Sequence, residues 1–144
     1  MTIRKSIWVK RPPQIAFRIF CEHMSEWWPQ GFVEGSKPAL EPRLGGRFFE
    51  RRPDGSEYEI GRVIAYEPPS LVCFTWRAPS WNSDTRVEIR FIAERGGTRV
   101  DLEHSGWEQD AKVSEYRKNY DSGWPRILGY YEAAVEQAAP GGTT

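Results

Sequence analysis

Two residues of this chain combine reactive side chains with places on apolar strand faces, and they are Glu50 and His104. Alternate side chains of a β-strand share a face. An inward Phe48 therefore carries Glu50 inward with it, and inward Val100 and Leu102 carry His104. The same rule couples Gly61 to Val63 and Phe74 to Trp76. A carboxylate and an imidazole on one apolar face have three readings: polar groups that orient a ligand in a greasy pocket, a general acid/base pair, or groups satisfied by water, by backbone or by each other. One His and one Glu make the weakest case for catalysis, so no catalytic residue is assigned.

Other chemistry finds little support. His23 lies between Glu22 and Glu26 near a helix end, where an exposed position is expected. Two histidines far apart and two isolated cysteines, Cys21 and Cys73, offer no ligand spacing, so neither a metal nor another cofactor is expected. Apolar surroundings suit both cysteines to a reduced, buried role. Gly45-Gly46 precedes a strand and so provides no helix N-terminus for a phosphate, and Ser105-Gly106 lacks a nucleophile-elbow context.

The chain has 144 residues, with Lys+Arg and Asp+Glu at 20 each. That balance argues against nucleic acid as a partner. No run approaches the ~20 apolar residues of a membrane span, and Met1 to Lys10 lacks the apolar segment of a leader, so a cytoplasmic location is expected. Aromatic residues make up 14%, including seven Trp, and lining a pocket is one use for them.

The elements that must position these groups follow from periodicity. Ile3 to Val9 alternates as a strand, and Pro13 opens a short helix that ends near Trp27-Trp28-Pro29. Gly31 to Leu44 reads as a loop with at most one edge strand. Arg47 to Arg52 and Glu57 to Tyr66 form a hairpin through Asp54-Gly55. Strands at Leu71 to Trp76, Thr85 to Ala93 and Thr98 to His104 follow, with Val87, Ile89 and Phe91 on one face against Arg86, Glu88 and Arg90 on the other. Hairpin-length connections make this sheet mostly antiparallel, with one wet face.

The apolar face needs a cover, and the only long amphipathic stretch is Tyr116 to Ala138, where Tyr116, Tyr120, Trp124, Ile127, Leu128, Tyr131, Val135 and Ala138 recur at helical spacing. Because Pro125 suits only a first turn, the expectation is a short helix over Asp110 to Tyr120, then a main helix capped by Asp121 or Ser122. The fold class is α+β: a curved, mostly antiparallel sheet of about six to seven strands wrapped around a long C-terminal helix, with short helices after the first strand. One domain over residues 1–139 is expected, with 140–144 a disordered tail.

Local signatures along nearly the whole chain resemble the START and pollen-allergen-like helix-grip superfamily (SRPBCC). Within it they resemble the AHSA-like family, named for an activator of a heat-shock chaperone ATPase. The residues that carry the resemblance begin with Ile7-x-Val9 followed by Pro and Phe17, Trp27-Trp28-Pro29, Gly45-Gly46-Arg47-Phe48-x-Glu50 and Asp54-Gly55. It continues through Gly61-Arg62-Val63, Glu67-Pro68-Pro69, Phe74-Thr75-Trp76, Thr85-x-Val87, Gly97-Thr98-Arg99-Val100, Glu103-His104 and Tyr120-x-x-Gly123-Trp124.

The resemblance implies a helix-grip fold and a choice of functions: binding of a hydrophobic or amphipathic small molecule between sheet and helix, a stress-response interaction with a heat-shock chaperone, or cyclase-like catalysis in the same cavity. The cavity residues expected on the sheet are Phe48, Glu50, Val63, Phe74, Trp76, Val87, Leu102 and His104. On the helix, Tyr120, Trp124, Leu128 and Tyr131 are expected on the cavity wall, and Trp28 lies before a loop expected to cover one mouth. A loop tryptophan, Trp81, is a further candidate for the mouth. Exposed sheet edges make a homodimer an open expectation.

Overall fold

The computed structural model describes residues 1–139; the expected tail lies outside the described residues. Seven strands form one antiparallel sheet: β1 (Ile3–Val9), β2 (Lys37–Leu40), β3 (Arg47–Arg51), β4 (Glu57–Glu67), β5 (Leu71–Trp76), β6 (Thr85–Glu94) and β7 (Gly97–Ser105). Their order is β1-β7-β6-β5-β4-β3-β2. Only the β1–β7 pair is not a sequential neighbour, because the helices α1 (Pro13–Glu22) and α2 (Met24–Trp27) intervene. The structure has the helix-grip α+β architecture expected from the sequence.

Alternation is what makes these segments strands with a dry side. Along β6 and β7, Val87, Ile89, Phe91, Val100, Leu102 and His104 are buried. Arg86 and Arg90, on the other side of β6, face solvent. The wet face is laced with ion pairs such as Arg62–Glu59 and Arg47–Glu57, both at 2.9 Å, which add solubility more than stability. The β6–β7 turn places Arg95 and Gly96 at φ of 50° and 75°, the two positive values that a two-residue hairpin with native twist requires.

Curvature comes from two register shifts, one between Phe48 and Phe49 and one between Val63 and Ala65. Gly61 lies between them. A Cβ there would sit 1.7 Å from the Thr75 carbonyl oxygen, so the strands close up only because position 61 lacks one.

The concave side holds two plugs. Helix α1 starts at Pro13, where a missing N–H costs nothing, and buries Ile15, Ala16, Phe17, Ile19, Phe20 and Cys21. The second is α4 (Arg117–Glu136), preceded by a 3-10 turn at Trp107–Gln109 and the single turn α3 (Ala111–Ser114), whose N-terminus is capped by Asp110 accepting from Lys112 N. Helix α4 buries Trp124, Leu128, Tyr131 and Val135 on one stripe.

The expected break at Asp121 to Gly123 is absent, and Pro125 sits within a continuous helix. Proline removes one backbone donor there, on the exposed side, and the buried residues flanking it keep the helix docked. The expected first helix shrinks accordingly to α3, and Tyr120 belongs to the gripped helix. At the far end Arg11 donates to the carbonyls of Glu136 and Ala138 at 2.8 and 2.9 Å, and the Tyr131 hydroxyl donates to the Ala16 carbonyl at 2.6 Å. These contacts tie α4 to α1 and the end of β1.

Two glycines separate packing from propensity. Gly61→Ala is expected to cost about 2–4 kcal/mol because the sheet must open. Gly129→Ala, at a helical position with nothing within 4 Å of an added Cβ, is expected to gain about 0.5–1 kcal/mol. Urea unfolding of the two variants measures both.

Candidate functional site

A cleft of about 550 Å³ lies between the sheet and the N-terminal half of α4. Its floor is made by Phe48 of β3, Ile60 of β4 and Trp76 of β5, with Pro38 of β2 at the edge. Its roof is the α4 stripe of Asn119, Tyr120, Gly123, Trp124, Arg126 and Ile127, with Tyr116 just before the helix. Two loops make the rims, one through Trp28, Gln30, Gly31 and Phe32 and the other through Ala78, Pro79 and Trp81. Eight of its eighteen lining residues are aromatic.

The aromatic wall is continuous. Trp28 packs at 5.9, 6.0 and 5.8 Å from the rings of Phe48, Trp76 and Trp124, and Trp81 meets Tyr120 at 5.7 Å. Trp27 is the core member of the Trp27-Trp28 pair, donating its indole N–H to the Ile19 carbonyl at 2.9 Å. Trp81 is buried against Trp107 and Tyr120.

Of the residues expected in the cavity or at its mouth, Trp28, Phe48, Trp76, Trp81, Tyr120 and Trp124 line this cleft. Val63, Phe74, Val87, Leu102, Leu128 and Tyr131 are buried in the core and are not part of its lining. The reason is the fill beneath the C-terminal half of α4. Phe20 and Trp27 pack on Tyr131 at 5.4 and 5.1 Å, so the space expected there is occupied.

Glu50 and His104 also face inward, but each is saturated away from the cleft. The Glu50 carboxylate accepts from the Phe32 backbone N–H at 2.6 Å and from Arg52 Nε at 2.8 Å. It anchors a rim loop from behind, and a Cβ at Gly31 would meet its Oε1 at 2.2 Å. His104 accepts from Trp124 Nε1 at Nδ1, 3.1 Å away, which places its proton on Nε2. Nε2 then donates to Thr85 Oγ1 at 2.7 Å, and the Thr85 hydroxyl donates to the Trp76 carbonyl at 3.1 Å.

Trp107 and Tyr120 surround the ring at 4.4 and 5.4 Å. Burial there lowers the His104 pKa from 6.5 to about 3, so the ring is neutral at physiological pH with both nitrogens engaged. In this geometry Glu50 and His104 each act as a structural clamp, the arrangement of the third reading above.

Other titratable groups are similarly quiet. Burial pushes the Cys73 thiol up to about 11 and Cys21 higher still, and both cysteines are free. The Nδ1 of His23 pairs with Glu26 at 2.6 Å, and its side chain is half-buried rather than exposed. Among the described residues no group of three His, Cys, Asp or Glu side chains converges to hold a metal. Tyr120 accepts from Trp76 Nε1 at 3.0 Å and has its own proton left to donate; burial lifts its pKa to about 12, so it stays a donor.

Sequence reasoning did not assign Phe32, Ile60, Asn119, Gly123, Arg126 and Ile127 to the site. Of the helical ones only Ile127 is on the apolar stripe, and Asn119, Gly123 and Arg126 flank it.

A family model described as Activator of Hsp90 ATPase homolog 1-like protein matches residues 10–136. The chain belongs to that family. None of the curated proteins matches this Hsp90-activator-homolog family member. Solved structures similar to it include a Mesorhizobium loti protein, 22% identical with a TM-score of 0.74, covering 96% of this chain and 99% of that one. A Chromobacterium violaceum protein is 23% identical with a TM-score of 0.71, covering 95% and 99%. The Aha1 dimer from Colwellia psychrerythraea is 18% identical with a TM-score of 0.71, covering 100% and 99%. At these identities they establish the fold.

The buried histidine gives a pH signature. Above pH 6.5 the ring is neutral in both folded and unfolded chains and contributes no pH dependence. Below it only the unfolded ring takes a proton, so stability falls at up to about 1.4 kcal/mol per pH unit until the folded ring titrates near pH 3. His104→Gln is expected to flatten that part of the stability profile. Nitrogen NMR of the native protein is expected to show the neutral Nε2–H tautomer unchanged from pH 5 to pH 8, an interval bounded by the about 3 at which the folded ring titrates.

Proposed function

We propose that this family member binds a small hydrophobic or amphipathic molecule in the cleft between the sheet and α4. The observation that carries the reading is the combination of about 550 Å³ of space with a wall in which eight of eighteen residues are aromatic. Space of that size suits a drug-sized ligand. Gly123 adds to it: a Cβ there meets nothing within 4 Å, so the helix carries a notch in its side where the sheet leaves room. The Tyr120 hydroxyl, Asn119 and Gln30 supply the few polar groups that orient a guest. The protein is read as cytoplasmic, in keeping with two unpaired buried thiols and with the absence, among the described residues, of a helix long and apolar enough to cross a membrane.

A second reading is an interaction module that engages a heat-shock chaperone or a second copy of the chain. Family membership favours it, and so does the dimeric state of the Colwellia relative. It uses an outer surface and leaves the cleft uninvolved.

Filling the notch separates the two. Titrating the neutral fluorophore N-phenylnaphthylamine is expected to give saturable binding to the native protein. Gly123→Leu should weaken that binding by about tenfold or more, since the side chain occupies the guest's place. Gly129→Leu, on the same helix but outside the cleft, should leave it unchanged. No saturable binding by the native protein would overturn the reading. Stimulation of a heat-shock chaperone's ATPase that survives Gly123→Leu would favour the second one.

A further inference from the structure

The charge pattern of the cleft narrows the class of guest. Among the described residues the lining contains no Asp, no Glu and no Lys, and its single charged residue is Arg126. Among the described residues Arg126 has no carboxylate partner. Its one recorded contact is the Tyr130 ring, 5.4 Å from the guanidinium carbon. This is unusual for the protein, because most arginines near the sheet are matched: Arg47, Arg51, Arg52, Arg62, Arg77, Arg90 and Arg99 each pair with an acid. The carboxylate of Glu50, behind the Gly31–Phe32 rim, is committed to Arg52 and the Phe32 N–H.

Arg126 also stands at the right place. Asn119, Gly123 and Arg126 fall four and three residues apart on α4, so they share a face, with the Gly123 notch between an amide and a guanidinium. Seven residues of helix span about 10 Å, comparable to a two- or three-ring molecule. A guest seated across the notch puts its body against Trp28, Trp76 and Trp124 and one end at Arg126. A cationic end would meet uncompensated positive charge there, whereas a carboxylate or sulfonate would receive the planar donor fork that no carboxylate among the described residues accepts.

We infer that the cleft selects an amphipathic monoanion, an aromatic or polycyclic body with one acidic group held at Arg126. The inference rests on the small-molecule binding reading above. Its test uses two probes that share a ring system and differ by one charge: N-phenylnaphthylamine, which is neutral, and anilinonaphthalenesulfonate. Arg126→Gln is expected to weaken the sulfonate about fivefold or more while leaving the neutral amine within about twofold. Arg126→Lys should retain part of the difference, and added salt should weaken only the sulfonate. The exposed position of Arg126 leaves folding intact, which the unfolding midpoint verifies.

If the neutral probe binds saturably but the sulfonate is insensitive to Arg126→Gln, the monoanion inference falls and the binding reading stands. If neither probe binds saturably, both fall.

Discussion

The indole N–H of Trp124 reaches His104, His104 reaches the Thr85 hydroxyl, and Thr85 reaches the Trp76 carbonyl. That relay joins the gripped helix to β7, β6 and β5 in turn. Every other feature of the grip depends on it, because hydrophobic packing alone is tolerant of how a helix is rotated on a sheet. A directional chain of donors is not. Turning α4 by one residue would swing Trp124 about 100° away and leave a buried imidazole nitrogen without its donor, which costs the full desolvation of that group. The aromatic rings around His104 exclude the water that would otherwise compensate, and they hold the ring neutral so that the required tautomer persists.

The same constraint explains why the larger cleft lies at the N-terminal end of the helix, the pocket at its C-terminal end being about 270 Å³. Beyond Trp124, the stripe of Leu128, Tyr131 and Val135 is buried against α1 and the sheet, with Phe20 and Phe17 in the concavity. Toward the N-terminus of α4 there is no second helix to serve as filler. The side chains there are long aromatics spaced around Gly123, and Glu50 holds the Gly31–Phe32 loop back over the far rim. The cleft is what remains when one rigidly oriented helix is gripped by a sheet that only one other plug partly fills.

Much of this was readable from the residues alone. Alternation in Thr85 to Ala93 and Thr98 to His104, the Asp54-Gly55 and Gly96-Gly97 turns, and the stripe from Trp124 onward specify strands, hairpins and a helix face by local chemistry. The inward direction of Glu50 and His104 followed from the same period. Their partners did not, because alternation gives a direction but no distance. Thr85 and Trp124 lie about twenty residues to either side of His104, and only the assembled fold brings them to it.

Pro125 misled for a related reason. Proline's penalty inside a helix is local, whereas the docking of Trp124, Leu128 and Tyr131 that overrides it is tertiary. The cavity was expected half a helix too far along because the volume filled by Phe17 and Phe20 is likewise a property of the assembly.

Trp76 and Trp124 belong both to the relay and to the cleft wall. A guest bound as proposed would press on the linkage that fixes helix to sheet, although His104 itself lies outside the cleft lining. Such a wall is stiff, and a stiff aromatic wall discriminates by shape and ring stacking. The indole N–H groups of Trp76 and Trp124 are already committed within the protein. Electrostatic selectivity must come from groups that share the cavity but not the relay, and on α4 these are the spare proton of Tyr120, Asn119 and Arg126. The division leaves the face of α4 around Gly123 free to vary in sequence without loosening the fold, while the buried ring of His104, which touches no guest, cannot change without loosening the grip.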